Sequence, residues 1–279
     1  MAKAIRGNPS TRISLVVSDV DGTLVTHDKA LAASTIAAAQ ALRQAGIPLA
    51  IVSSRPPRGI AETAAALGLE IFAGFNGAVV VRPDLTPIEE NYVPADAATA
   101  AIAALGAGGA DVWVFNGNDW LVSDLAGGYV EHERHTIRFD PILVPDFDGH
   151  LDRVGKIVGS SSDFDRLARL EAEISRQLGP KAAVRRSQRY YLDITHATAD
   201  KGHAVRAFAS HWGVPLDEVA VLGDQGNDLP MFAVAGLAVA MGNGTAEAKD
   251  GADFLTGSND ADGWAQAIQD LILPRAAKR

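Results

Sequence analysis

Three early segments carry apolar side chains at odd and even positions alike: ISLVVS (13–18), IPLAIVSS (47–54) and LEIFAGFNGAVVV (69–81). A strand with one face in water alternates apolar and polar residues. A segment apolar throughout therefore predicts a strand covered on both faces. Between them, ALAASTIAAAQALRQAG (30–46) and GIAETAAALG (59–68) read as helices. Gly46 supplies a helix stop, and Pro56 and Pro57 end the second strand. Alternating strands and helices with both strand faces covered predict an α/β domain built on a parallel sheet. The last third repeats the theme, with strands at 218–224 and 237–243 and helices at 227–236 and 263–273.

The middle has a different texture. AVVVRP, DVWVF, DWLVSD and KIVGSSS are short strand candidates separated by turn residues. Helical stretches near 95–106 and 163–178 stand among them. AAVRRSQRYYLDIT (182–195) alternates and leads back to the first pattern. The reading is one interrupted domain, 1–83 with 192–279, and an α+β insertion over 84–191. There is no long internal repeat, low-complexity tract or coiled coil.

Composition narrows the partners. The formal net charge of −9 opposes nucleic acid and anionic membranes, whose phosphates would repel such a chain. The absence of cysteine excludes disulfides, thiolate metal sites and cysteine nucleophiles, and fits a reducing compartment. No apolar run reaches the roughly 18 residues of a membrane span. The start, MAKAIRGNPSTRIS, is polar, lacks the apolar core of a signal peptide and reads as a loose tail. A cytoplasmic protein acting on a small molecule is expected, with its oligomeric state unreadable.

In an open parallel sheet, ligands sit beyond the carboxyl ends of the strands. Four strand ends here carry polar clusters. The first is Asp19-Val20-Asp21-Gly22-Thr23. Residues two apart in an extended segment point the same way. Two such carboxylates can hold a hard cation or divide labour as nucleophile and acid/base, or they can simply cap a turn. The second is Ser53-Ser54-Arg55, where a hydroxyl, backbone N–H groups and a guanidinium suit an anion, or cap the Pro-rich turn. The third is Lys201, in the first turn of a helix after Thr198 and Asp200. A cation opposes the helix dipole there unless it shares an anion with it; otherwise it is a surface lysine. The fourth is the Gly-punctuated loop with Asp224, Asn227 and Asp228, which can place carboxylates on a cation and also start a helix.

In this order, the clusters resemble those of the haloacid dehalogenase-like superfamily of phosphotransferases. The chain is most similar to the Cof-type, or subfamily IIB, sugar-phosphate phosphatases. DVDGTL matches their DxDGTL motif, DKG their motif lysine, and GDQGNDLPMF their GDxxNDxxM loop. VSSR stands where a TGR-like segment is usual, with Ser53 for Thr and Ser54 for Gly. FNGA, AMGN and LTGSNDADG are further matches, and the likeness runs from residue 13 onward.

The resemblance implies a Rossmann-like core and makes the insertion a cap over the sheet end. It implies that Asp19 attacks phosphorus and becomes an aspartyl phosphate. Asp21 protonates the leaving alcohol and then helps water attack. Mg²⁺ is held by Asp19, the main-chain carbonyl of Asp21, and Asp224, with Asp228 in support directly or through water. Ser53, Lys201 and Asn227 bind the phosphoryl group. Division of labour between the aspartates predicts a higher pKa for Asp21 than for Asp19. Ser54, Arg55 and Asn76 are further candidates in the cleft. Lys156 stands where the family often has a cap lysine, and Asn118, Asp119, Trp120, Arg185, Arg186 and Tyr190 are candidates on chemistry alone. His27 and His196 lie near motif loops and receive no role.

The expected function is a Mg²⁺-dependent phosphatase for a small phosphorylated metabolite, a sugar or polyol phosphate. A phosphomutase shares the aspartyl phosphate. A phospho-accepting or sugar-binding protein without turnover is the alternative of another class.

Overall fold

The computed structural model describes residues 3–4 and 12–276. Most of the N-terminal segment read as a loose tail therefore lies outside the described residues. The first sheet has nine strands. Leu15–Asp19 is central, flanked by Val219–Gly223 and Leu49–Val52. Leu237–Ala240 and Phe254–Leu255 extend it on one side, Phe72–Gly74 on the other, and all these pairings are parallel.

Both faces of the central strands are buried, as their apolar runs predict. Val16, Ile51, Leu222 and Val239 pack against the helix Ala33–Gln44 and the C-terminal segment around Trp264 and Ile268. Leu15, Val17, Val52 and Val221 pack on the other face against Val205 and Phe208 of the helix Lys201–Trp212, and against Met231. Residue parity along one strand thus assigns each side chain to a layer.

The segment 69–81 is not one strand. It divides into Phe72–Gly74 and Val79–Val81, which pair antiparallel. Phe75, Asn76 and Gly77 all have positive φ (51°, 57° and 97°), and these three residues turn the chain back. Glycine and asparagine adopt this region readily; phenylalanine does not. The burial of Phe75 offsets the strain: its ring is inaccessible and lies against Gly155, where any Cβ would strike it. The ring is 5.8 Å from that of Phe115. Pro87–Glu90 completes this antiparallel margin.

A second sheet of six strands follows. In spatial order its strands are Ala182–Gln188, Tyr191–His196, Val154–Ser160, Asp111–Asn116, Asp119–Val122 and Ile142–Leu143. AAVRRSQRYYLDIT proves to be a hairpin of two of them. The helices Ala95–Ala107 and Phe164–Leu178 cover one face, meeting Val112, Val114, Ile157, Leu192 and Ile194. The alternate residues Trp113, Phe115, Val158 and Tyr191 join the core of the first unit. A short helix, Val130–Ile137, lies between the units against the turn Pro57–Ile60. Its polar sequence, VEHERHTI, carries little apolar periodicity and is not recognisable as helix beforehand. Among the described residues, no helix is long and apolar enough to cross a membrane.

Candidate active site

The register sets the site. Asp19 pairs with Val52, and Ser18 with both Ile51 and Leu222, so three strands end side by side. Asp19, the Ser53 turn and Asp224 therefore emerge at one edge. Lys201 enters this edge from the start of its helix, which Asp200 caps by accepting from the His203 N–H at 2.7 Å. The Lys201 ammonium donates to Asp19 Oδ1 at 2.6 Å and also to Asp228 Oδ1. All three side chains are buried.

Asp228 is fixed from its other oxygen. Its Oδ2 accepts from the backbone N–H groups of Asp224 (2.7 Å) and Gln225 (2.8 Å). Gly223 makes room, since a Cβ there would overlap the Asp228 side chain. Asp224 accepts from Thr23 Oγ1 at 3.2 Å and Gln225 Nε2 at 3.0 Å. Gly22, at φ +79°, leaves space for the Asp224 carboxylate. Asp19, Asp224 and Asp228 each offer an oxygen, and these atoms lie within 4.8 Å of one another.

Burial pushes the Asp19 carboxyl well above the usual range, against the pull of Lys201. Burial and then the Asp228 charge raise Asp224. Burial disfavours the Lys201 ammonium, but Asp19 and Asp228 outweigh it and raise its pKa. At Asp21, burial is outweighed by a bidentate pairing with Arg55, whose Nε donates at 2.7 Å, and by Lys29 at 2.6 Å. Its pKa is lowered. The expected order of the two aspartates is thus reversed. The two side chains diverge from one strand end into opposite surroundings: Asp19 into the protein, Asp21 onto two cations.

At the second strand end Ser53 caps the Pro-rich turn. Ser53 is buried, and its hydroxyl accepts from the Arg55 N–H at 3.1 Å. Its carbonyl accepts from the Asn76 N–H at 2.8 Å, tying this turn to the FNG reversal. Asn76 Oδ1 in turn accepts from Asn227 at 3.2 Å. Trp264 donates to Ser18 Oγ at 3.0 Å, and that hydroxyl donates to the Asp19 carbonyl at 2.7 Å.

A cavity of about 510 Å³ opens above this edge, lined by Asp19, Asp21, Ser54, Arg55, Asp224 and Asn227 from the first unit. Glu133, Lys156, Tyr190 and Tyr191 line it from the second. Lys156 donates to the Ser54 carbonyl at 3.3 Å, so a side chain of one unit touches the Ser53–Arg55 turn of the other. Lys29, Arg55 and Lys156 are cations at the wall of a cavity whose floor is carboxylate. Such a site can hold an anion beside a carboxylate nucleophile.

A family model described as haloacid dehalogenase-like hydrolase matches residues 16–268. The chain belongs to that family. An HMP-PP phosphatase of Cronobacter sakazakii is 26% identical over 227 residues, covering 81% of this hydrolase and 82% of the relative. The solved structure of a haloacid dehalogenase-like hydrolase from Bacteroides thetaiotaomicron superposes with a TM-score of 0.86. It is 26% identical and covers 94% of this hydrolase and 100% of that chain. A solved HAD subclass IIB sugar phosphatase has the same fold, with a TM-score of 0.80 at 22% identity over 92% and 98% of the two chains. The hydrolase is a Cof-type member and a phosphatase.

Its fold brings Asp19, Lys201, Asp224 and Asp228 together, pairs Asp21 with Arg55, and joins Asn76 to Asn227. Other candidates lie elsewhere. Trp120 is packed in the aromatic layer with Trp113 and Phe115. Asn118 and Asp119 are exposed, and the Asn118 carbonyl accepts from Arg58. Arg186 is tied to Glu171 at 2.8 Å, and it and Arg185 line a neighbouring cavity. Tyr190 stacks on Tyr129 at the main cavity. His27 donates its N–H to Asp260, and His196 bonds to Thr198. Lys29, Glu133, Asp193 and Trp264 escape sequence reasoning. None belongs to a strand-end motif, and only tertiary packing brings them near one.

Proposed function

We propose that this hydrolase is a Mg²⁺-dependent phosphatase that acts on a small phosphorylated metabolite, a sugar or polyol phosphate, through an aspartyl phosphate on Asp19. The observation that carries the reading is the buried group of Asp19, Asp224 and Asp228 around Lys201. Three carboxylates meet one ammonium, leaving an excess of negative charge. The donors are all oxygen, which suits a hard divalent cation. Asp19, Asp224 and Asp228 would hold Mg²⁺, with the main-chain carbonyl of Asp21. When bound, the ion supplies positive charge beside the phosphoryl oxygens.

In this reading, an Asp19 oxygen attacks phosphorus as the bond to the leaving oxygen breaks. Lys201 keeps that carboxylate oriented and offsets the repulsion between it and the phosphate. Arg55, the Ser53–Ser54 turn and Asn227 hold the remaining phosphoryl oxygens. The leaving alkoxide needs a proton, and Asp21 is the carboxyl on that side. Arg55 and Lys29 favour its ionised form; once phosphate draws either cation away, Asp21 takes up a proton from solvent and passes it to the leaving oxygen. In the second half, Asp21 takes a proton from the water that attacks the acyl phosphate, releasing inorganic phosphate and restoring Asp19.

The second sheet serves as a cap. In this reading the insertion over about 84–191 is the cap; Pro87–Glu90 pairs into the first sheet and Tyr191–His196 into the second. Lys156 and Glu133 from this segment face the catalytic edge, which supports a part in reading the leaving group. The test is phosphate release from a panel of phosphorylated metabolites with Mg²⁺, by wild type and Asp19→Asn. Loss of nearly all turnover in a folded Asp19→Asn protein is expected. Substantial activity in that variant would overturn the nucleophile assignment.

A further inference from the structure

Tyr191, Asp193 and Lys156 share the cap-sheet face that looks toward the catalytic unit. Lys156 and Asp193 sit on adjacent antiparallel strands, one register step apart: Lys156 pairs with Thr195, and Val158 with Asp193. The Lys156 ammonium lies 3.7 Å from Asp193 Oδ2, too long for a hydrogen bond. Both Asp193 oxygens and the Tyr191 hydroxyl are buried and without a hydrogen-bond partner among the described residues. Asp193 is 4% exposed and Glu133 6%. Burial, each carboxylate's main influence, raises the pKa of both.

Lys156 is ion-paired with Asp193, its charge also acts on Glu133, and its ammonium is engaged with the Ser54 carbonyl as well. Buried polar groups in folded proteins are paired almost without exception. A buried carboxylate at a cavity wall that has an ion pair but no hydrogen bond is a group whose hydrogen-bond donor arrives with the ligand. Asp193 lines a side cavity of about 370 Å³. Ser187, Gln225 and Asn227 line both this cavity and the main one, so the two adjoin beside the catalytic edge. Glu133 and Lys156 face the main cavity and Asp193 the side one, and the three stand at the junction.

We propose that Glu133, Lys156 and Asp193 recognise a hydrogen-bond donor on the leaving group, a hydroxyl or a protonated amine, and that Asp193 is the residue that discriminates. The proposal rests on the phosphatase reading above and assigns the part of the substrate beyond the phosphate. A leaving group without such a donor leaves the Asp193 carboxylate without a hydrogen bond and gains nothing from it. A site built to bond a substrate donor rejects analogues that lack it far more strongly than an apolar pocket does.

The test compares wild type, Asp193→Asn and Asp193→Leu with Mg²⁺ on three probes. 4-Nitrophenyl phosphate has no donor in its leaving group, glucose 6-phosphate offers hydroxyls, and glucosamine 6-phosphate offers an ammonium as well. The readout is the preference, the ratio of kcat/KM on each sugar phosphate to that on the aryl phosphate. Asp193→Leu is expected to lower this ratio at least about ten-fold, chiefly through KM. Asparagine keeps an acceptor but no charge. If the donor is a hydroxyl, Asp193→Asn retains most of the glucose 6-phosphate preference. If it is an ammonium, Asn and Leu lose the glucosamine 6-phosphate preference alike. An equal fall on all three probes marks a merely structural role and overturns the proposal, as does an unchanged ratio. Calorimetric binding of free glucosamine and free glucose to wild type and Asp193→Leu gives a readout independent of turnover, and equal binding would also overturn it. Failure of the phosphatase reading shows separately, as no phosphate released by wild type from any probe.

Discussion

Lys201 joins residues from three distant parts of the chain: its own helix, Asp19 at 2.6 Å and Asp228. With Lys201→Met, two buried carboxylates lose their cation. Turnover is expected to fall by at least about a thousand-fold, as the cation that orients the proposed nucleophile Asp19 is removed. Removing one side of a buried ion pair also costs about 3–5 kcal/mol. Urea unfolding in the presence of a chelator measures that loss, and saturating Mg²⁺ should recover part of it. Unchanged turnover would make this lysine a structural residue only.

Gly22 tests the metal reading without replacing a carboxylate. Its φ is +79°, and a Cβ at this position would collide with Asp224. Gly22→Ala therefore displaces Asp224 and strains the turn by about 1–2 kcal/mol. Mg²⁺ titrations of activity should show about ten-fold weaker dependence. A variant with wild-type Mg²⁺ affinity would argue that Asp224 holds no ion.

The cap carboxylates give a pH dependence with a definite sign. The folded pKa of Asp193 lies above its unfolded value, so its protonated form favours the fold. That contribution is complete below about pH 4 and is lost as pH rises through the folded pKa. Asp193→Asn mimics the protonated form at every pH. It should be more stable than wild type at pH 7, with the gap closing toward pH 4. Urea midpoints across that range measure it. A gap that widens on acidification would mean that Asp193 is stabilised as the anion.

Trp264 secures the strand that ends in Asp19 from behind, through Ser18, which donates to the Asp19 carbonyl. Trp264→Phe keeps the ring and removes the N–H. A stability loss of about 1 kcal/mol is expected, with a modest fall in kcat and little change in KM. A KM effect as large as the kcat effect would place this residue's influence on substrate binding instead.

The sequence was most legible where function is local. Asp19, Asp21, Ser53 and Asp224 each follow an apolar run within a residue or two, so the strand-end rule finds them without knowledge of packing. Glu133 is invisible by the same logic, because it lies on a polar helix and only tertiary packing buries it, beside Lys156, Asp193, Tyr191 and Arg55. Asp193 occupies one position of an alternating strand, the ordinary place for a solvated carboxylate, and only the meeting of the two units buries it. The hidden turn at 75–77 escaped because its first residue is apolar and continues the hydrophobic run on either side. The direction of the Asp21 pKa depends on Arg55, a residue suited to an anion, and only the fold shows that its guanidinium pairs with the Asp21 carboxylate.

Phe75 gives the two units a mechanical joint. Its ring projects from a tight turn of one unit into the notch at Gly155 of the other and meets Phe115 there. A ring seated in a notch tolerates rotation about the contact and resists translation, because sliding drives it into strand backbone. Phe75 therefore fixes the place at which the two units meet, and a side chain at position 155 would drive its ring out of that place.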